Sequence, residues 1–170
     1  MSNCQQSIVN NIIKRIRRSA NIGLYGSLLI CIFVVAEHYL DQYVWVREIT
    51  TNDYTRRLFV IVALVFAVGT IAYSLFTMRK NAPKLRQTDG VDQKLKGYAK
   101  IVSSVCYLSL FVVFLVGAVI VITHENVLIM LLMLLFVSLV LNYPNMYKIK
   151  ADTGLNDDEM KEIFGDKYLG

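Results

Sequence analysis

Apolar residues in this chain come in four long runs parted by charged breaks, without the alternation of a half-buried strand. From Ile101 to Leu141 there are 41 residues with one charge, Glu125. That charge sits in the break His124-Glu125-Asn126. Ile101–Thr123 is 23 residues. At 1.5 Å per residue that is roughly 34 Å of helix, enough for a hydrocarbon core of about 30 Å. Val127–Tyr143 is 17 residues, at the short end of the spanning range, and Pro144 stops it. So short a break predicts antiparallel neighbours.

The first half of the chain predicts a second hairpin. One span starts near Ile22 and runs to about Tyr43. Its basic flank and Val34-x-Ala36 imitate a secretory signal with a cleavage site, but apolar character continues through Tyr39, Leu40 and Tyr43. We read it as an uncleaved span. Residues 44–57 form an outer loop in which Thr51-Asn52-Asp53 offers capping residues, and Leu58–Phe76 is the next span. Ala63, Ala67, Gly69 and Ala72 give that span small residues for close helix approach. The expected fold is all-α: an integral membrane four-helix bundle of two antiparallel transmembrane hairpins, with spans at 22–43, 58–76, 101–123 and 127–143.

The flanks complete the picture. Residues 1–21 are basic and amphipathic, with Ile8, Ile12 and Ile16 in one stripe flanked by Val9 and Ile13. They predict either an interfacial helix on an anionic leaflet or an extension of the first span. In the inner loop 77–100, Pro83 and then Thr88-Asp89-Gly90 are expected to break the helix, which resumes near Asp92. The polar tail, 144–170, holds Asn156-Asp157-Asp158-Glu159, an N-cap with a capping-box residue three on, and Gly165 at a C′ position. A short cytoplasmic helix over 157–164 is expected. Its apolar edge, Met160, Ile163 and Phe164, suits docking on the inner loop, a second subunit or a soluble partner. Tyr39, Tyr43 and Trp45 on one side, and Tyr73, Tyr98, Tyr143 and Tyr147 on the other, fit two aromatic belts.

Composition sharpens orientation. The chain is 55% hydrophobic with a net charge of +5. Lys and Arg number four in 1–22, three in 37–57, seven in 77–100 and four in 143–170. With both termini cytoplasmic, 15 lie inside and three outside, the positive-inside bias that accounts for the charge without nucleic acid. Cys4, Cys31 and Cys106 make no CxxC pair and support neither a disulfide framework nor a metal cage.

Chemistry-bearing residues are few. Glu37, His38 and Asp41 lie near the outer end of the first span, and His124 and Glu125 at the outer turn of the later hairpin. Both histidines of the chain thus fall at one face, each beside a carboxylate. These five could form a divalent-cation or proton site. The plainer reading, which we prefer, is that Glu37 and Asp41 snorkel to Arg47, Arg56 or Arg57, leaving His124-Glu125-Asn126 a solvated turn. Ser103, Ser104, Ser109 and Ser138 lie in spans away from either histidine, and no hydrolase, P-loop or dinucleotide motif occurs. We expect no cofactor and no enzyme activity. The expected role is a non-enzymatic helper or interaction subunit of a bacterial inner membrane, which oligomerises or binds a membrane or soluble protein partner through its cytoplasmic flanks. The alternative is an oligomeric small transporter or pore with an outward-facing, cation-attracting site.

Overall fold

The computed structural model describes residues 3–40 and 53–165, and they are all-helical, with no strand among them. We number the helices α1 (Asn3–Leu40), α2 (Asp53–Gln87), α3 (Val91–Thr123), α4 (Asn126–Leu141), α5 (Met146–Thr153) and α6 (Asp157–Phe164). Helices α1, α2 and α3 are each long and apolar enough to cross a bilayer, which makes this an integral membrane protein. Helix α4 has 16 residues, about 24 Å of rise, and would be a further crossing only together with α5, from which it is bent by 77°.

Helix α3 is the axis of the molecule, packed against α1, α2 and α4. The α1–α3 contact is close because glycine faces it from both sides. A Cβ on Gly23 would sit 2.9 Å from Cys106 Cβ, and one on Gly117 would sit 2.9 Å from a Val34 methyl. Helix α2 joins through Ala63, Ala67, Thr70 and Ser74, all buried. Of the small residues expected to serve that contact, Ala63 and Ala67 do. Gly69 and Ala72 are exposed, because the packing stripe turns toward Thr70 and Ser74 at helical spacing. The hairpin between α3 and α4 turns on His124, left-handed at φ 52°, whose N–H donates to Ile120 O. Its break is two residues long, and Asn126 already belongs to α4.

Two cores result. One lies among the apolar runs: Val112, Val113, Val116 and Ile120 of α3 against Leu128, Leu132 and Leu135 of α4, with Cys31, Val34, Ala63 and Ala67. The other lies at the basic end and gathers Val9, Ile13, Ile16 and Ala20 of α1, Leu85 of α2, and Leu95, Tyr98, Ala99 and Val102 of α3. Ile149, Leu155 and Met160 close it from the tail.

Several expectations are corrected there. Residues 3–20 continue α1 without a break, and their apolar stripe is Val9, Ile13 and Ile16, while Ile8 is exposed. That stripe is covered by protein. Pro83 does not interrupt α2, which runs on to Gln87. Leu85 is buried in the core beyond it, and Arg86 Nε and Nη2 both donate to Ala151 O, at 3.1 and 2.7 Å, so contacts past the proline hold the helix. The break falls at Thr88-Asp89-Gly90, with Gly90 at φ 86°. Tyr98 is fully buried and is no belt residue. Helix α5 is an element beyond those expected. Asn145, directly after Pro144, caps it by accepting from Lys148 N. Helix α6 spans the expected residues with a complete capping box between Asn156 and Glu159. Its apolar edge docks on this chain's own core through Met160, Ile163 and Phe164. The expected end of the first span at Tyr43, and most of the loop after it, lie outside the described residues.

Candidate functional site

Two places hold polar groups against the fold. The first is at the end of α1 farthest from its basic residues. His38 stands against the α3–α4 turn, with Nε2 2.8 Å from Asn126 Oδ1. An amide oxygen can only accept, so the proton of this contact rides on Nε2. Nδ1 is buried and meets no hydrogen-bond partner among the described residues. The His38 ring centroid lies 5.8 Å from that of His124 at a tilt of 31°, and Tyr39 meets His38 edge-on. Glu125 pairs with Arg56 of α2 at 2.8 Å, both ends partly exposed.

Of the five residues expected to converge, the structure brings His38 and His124 together. It gives Glu125 to Arg56 and leaves Glu37 half-buried on α1. Asp41 lies outside the described residues. Among the described residues no three His, Cys, Asp or Glu side chains are placed to hold one metal ion. Asn126 is the partner that sequence reasoning passed over. Its position directly after His124-Glu125 is the only sequence signal for that role.

The second place is the basic-end core. Tyr98 is buried, and its hydroxyl faces the Asp152 carboxylate of α5 without closing a hydrogen bond. Burial, and then that negative charge, push the phenol up. Burial likewise raises the Asp152 carboxyl, and the positive charges of Lys148 and Arg86 partly offset it. Around this pair the tail is tied down at several points. Lys150 pairs with Asp157 at 2.6 Å, Tyr143 Oη donates to Asn21 Oδ1 at 2.8 Å, and Asn142 Nδ2 donates to Ser74 Oγ at 3.1 Å. The pairing of Tyr98 with Asp152 is not legible in the sequence, where the two are 54 positions apart and Tyr98 reads as a belt residue.

The serines serve packing. Ser19 and Ser103 hydroxyls meet at 3.0 Å across α1 and α3, and Tyr73 and Ser104 at 3.4 Å across α2 and α3. His124 is about 30 Å along α3 from Ser104, too far for proton transfer.

The chain matches no family model, no curated protein and no solved structure.

Proposed function

We propose that this chain is a non-enzymatic helper or interaction subunit of a bacterial inner membrane. It crosses four times, as two antiparallel hairpins with both termini cytoplasmic, and it oligomerises or binds a partner through its cytoplasmic flanks. The observation that carries this reading is the basic-end core. A set of spans needs no such domain, yet α1 extends well past its apolar run, and α5 and α6 fold back to bury Ile149, Leu155 and Met160 there. What that construction presents outward is a charged surface, Lys14, Arg17 and Arg18 on α1 and Asp157, Asp158 and Glu162 on α6. Fifteen of the 18 Lys and Arg belong to this side if the termini are inside, which supports the orientation.

The test is site-specific cross-linking from position 158 in native membranes, followed by mass measurement of the adduct. A discrete adduct, homomeric or heteromeric, that disappears in Glu162→Lys with Lys161→Glu while thermal stability holds, is the expected result. Monomer alone at every surface position sampled on α1 and α6 would overturn the reading.

A second reading rests on the histidine pair. His38 and His124, with Glu125 beside them, would draw cations to the outer mouth of an oligomeric transporter or pore. Cation flux through proteoliposomes holding only this chain, lost in His38→Ala, would favour it.

A further inference from the structure

We propose that the groove between α1 and α3 at the basic end binds the phosphate headgroup of an anionic phospholipid. The groove encloses about 310 Å³ and is lined by Ile12 and Arg15 of α1 and Lys96, Ala99 and Lys100 of α3. Three cations face one concavity and no carboxylate lines it. Arg15, Lys96 and Lys100 are all exposed, and none belongs to an ion pair among the described residues. Like charges gathered this closely repel, and an anion seated between them relieves the repulsion. Two helices of the fold bring these residues together across more than 80 positions of sequence.

Depth and direction argue for a lipid over a free anion. Lys100 is the last charge before the apolar run that starts at Ile101, so the groove lies at headgroup level when α3 spans the bilayer. The same face then continues into the membrane. Seven residues is about two helical turns, so Ile22 lies above Arg15, and Tyr107 above Lys100, with Phe111 one turn further. All three are exposed, at 39%, 48% and 58%, which gives acyl chains a surface directly above the cationic one. Eighteen residues is five turns, and it carries Ile12, Arg15, Lys96, Ala99 and Lys100 onto Ile30, Phe33, Phe114, Gly117 and Ala118. Those five line a wholly apolar cleft of the same helix pair. One face of α1–α3 is therefore cationic at the inner end and apolar along its length, the polarity of a phospholipid. Basic pockets between membrane helices recognise anionic headgroups by this means.

The experiment uses the full chain in detergent, titrated with phosphatidylglycerol or phosphatidylcholine and read by native mass spectrometry as lipid bound per protein. Phosphatidylglycerol is expected to bind, phosphatidylcholine to bind at least tenfold more weakly, and inorganic phosphate at equal concentration to leave the retained lipid in place. The triple variant Arg15→Gln, Lys96→Gln, Lys100→Gln is expected to lose on the order of a hundredfold in phosphatidylglycerol affinity, about fivefold per cation. Arg79→Gln with Lys80→Gln and Lys84→Gln, three exposed cations of α2 away from the groove, controls for net charge and should change it less than threefold. Equal losses in both variants, or a triple variant that folds and keeps its lipid, would overturn the assignment. So would displacement of the lipid by inorganic phosphate, which would make the groove a site for the free anion. A thermal shift on adding phosphatidylglycerol, present in the parent chain and absent in the triple variant, is an independent arm that needs no mass measurement.

Discussion

The two cores of this protein are built from different residues, and the difference follows from what surrounds each. At the basic end, large side chains are buried from several elements: Ile16, Leu95, Tyr98, Ile149 and Met160 are each 0–2% exposed. Charged residues of the same helices, such as Lys14, Arg17 and Lys96, face outward. Here expulsion of apolar surface from water drives packing. Among the spanning helices the buried positions are smaller at the contacts of α1, α2 and α3, with Ala63, Ala67, Val112, Val113, Val116 and Gly117. Outward positions are as apolar as inward ones, with Phe111, Phe114 and Leu134 each more than half exposed. Lipid gives no hydrophobic drive for helices to meet, so close approach and shape do that work. Burial in the first core is therefore a matter of polarity. Where α1, α2 and α3 meet in the second, it is a matter of size.

The largest test of this contrast sets Leu95→Ala against Leu134→Ala. Leu95 is fully buried at the basic end, and its truncation should cost about 2–5 kcal/mol in unfolding free energy measured in detergent. Leu134 is 59% exposed on α4 and should change stability by less than about 0.5 kcal/mol. Equal costs would mean that the lipid-facing reading of α4 is wrong. Next comes size among the spans. Gly23→Ala adds one methyl 2.9 Å from Cys106 Cβ and 3.3 Å from its carbonyl oxygen, where backbone cannot yield easily. A cost of about 1–3 kcal/mol is expected from overpacking, whereas Gly69→Ala, which meets nothing, should stabilise α2 by a few tenths up to about 1 kcal/mol.

The pH dependence separates the cores in a different way. Asp152 has a folded-state carboxyl raised by burial above its ordinary value of 3.8. The folded chain thus holds this proton longer than the unfolded one, so stability from this group is present below about pH 3.8 and is lost as pH rises through the folded value. Asp152→Asn should abolish that loss, and the stability difference between variant and parent should grow in the variant's favour as pH climbs through that window. A flat difference would show that Lys148 and Arg86 fully compensate the carboxylate. The smallest effect is expected at the opposite end of the molecule. The Arg56–Glu125 pair is 40% and 36% exposed, so Arg56→Gln should cost no more than about 1 kcal/mol, and less in high salt.

How much was legible in the sequence depended on whether the signal was local. Helix α6 was readable to the residue because its capping box lies within four positions, Asn156 to Glu159. The hairpin turn at His124 was readable because a lone break in a 41-residue apolar stretch has few explanations. Pro83 misled, since a proline breaks a helix only where nothing beyond it holds the chain, and Leu85 and Arg86 do hold it. At the start of α1 the apolar residues come in adjacent pairs, Ile8-Val9 and Ile12-Ile13, so local spacing does not decide between the stripe through Ile8 and the one through Val9 and Ile13 that the core buries. For the candidate site, the sequence could put both histidines at one end, but not show that His38 meets Asn126 or that Arg56 takes Glu125.

The amino-acid order by itself determined the medium and the elements: apolar runs of spanning length, charged ends, caps and turns, all set by neighbours within a few positions. What it left open, the tertiary structure decided. Which face of α1 is buried, that α5 turns under the bundle, that Tyr98 looks at Asp152, and that Arg15, Lys96 and Lys100 share one groove all depend on pairs far apart in the chain. Such contacts follow from how rigid helices fit around α3, and a one-residue rotation of any helix would change every partner while leaving its composition the same.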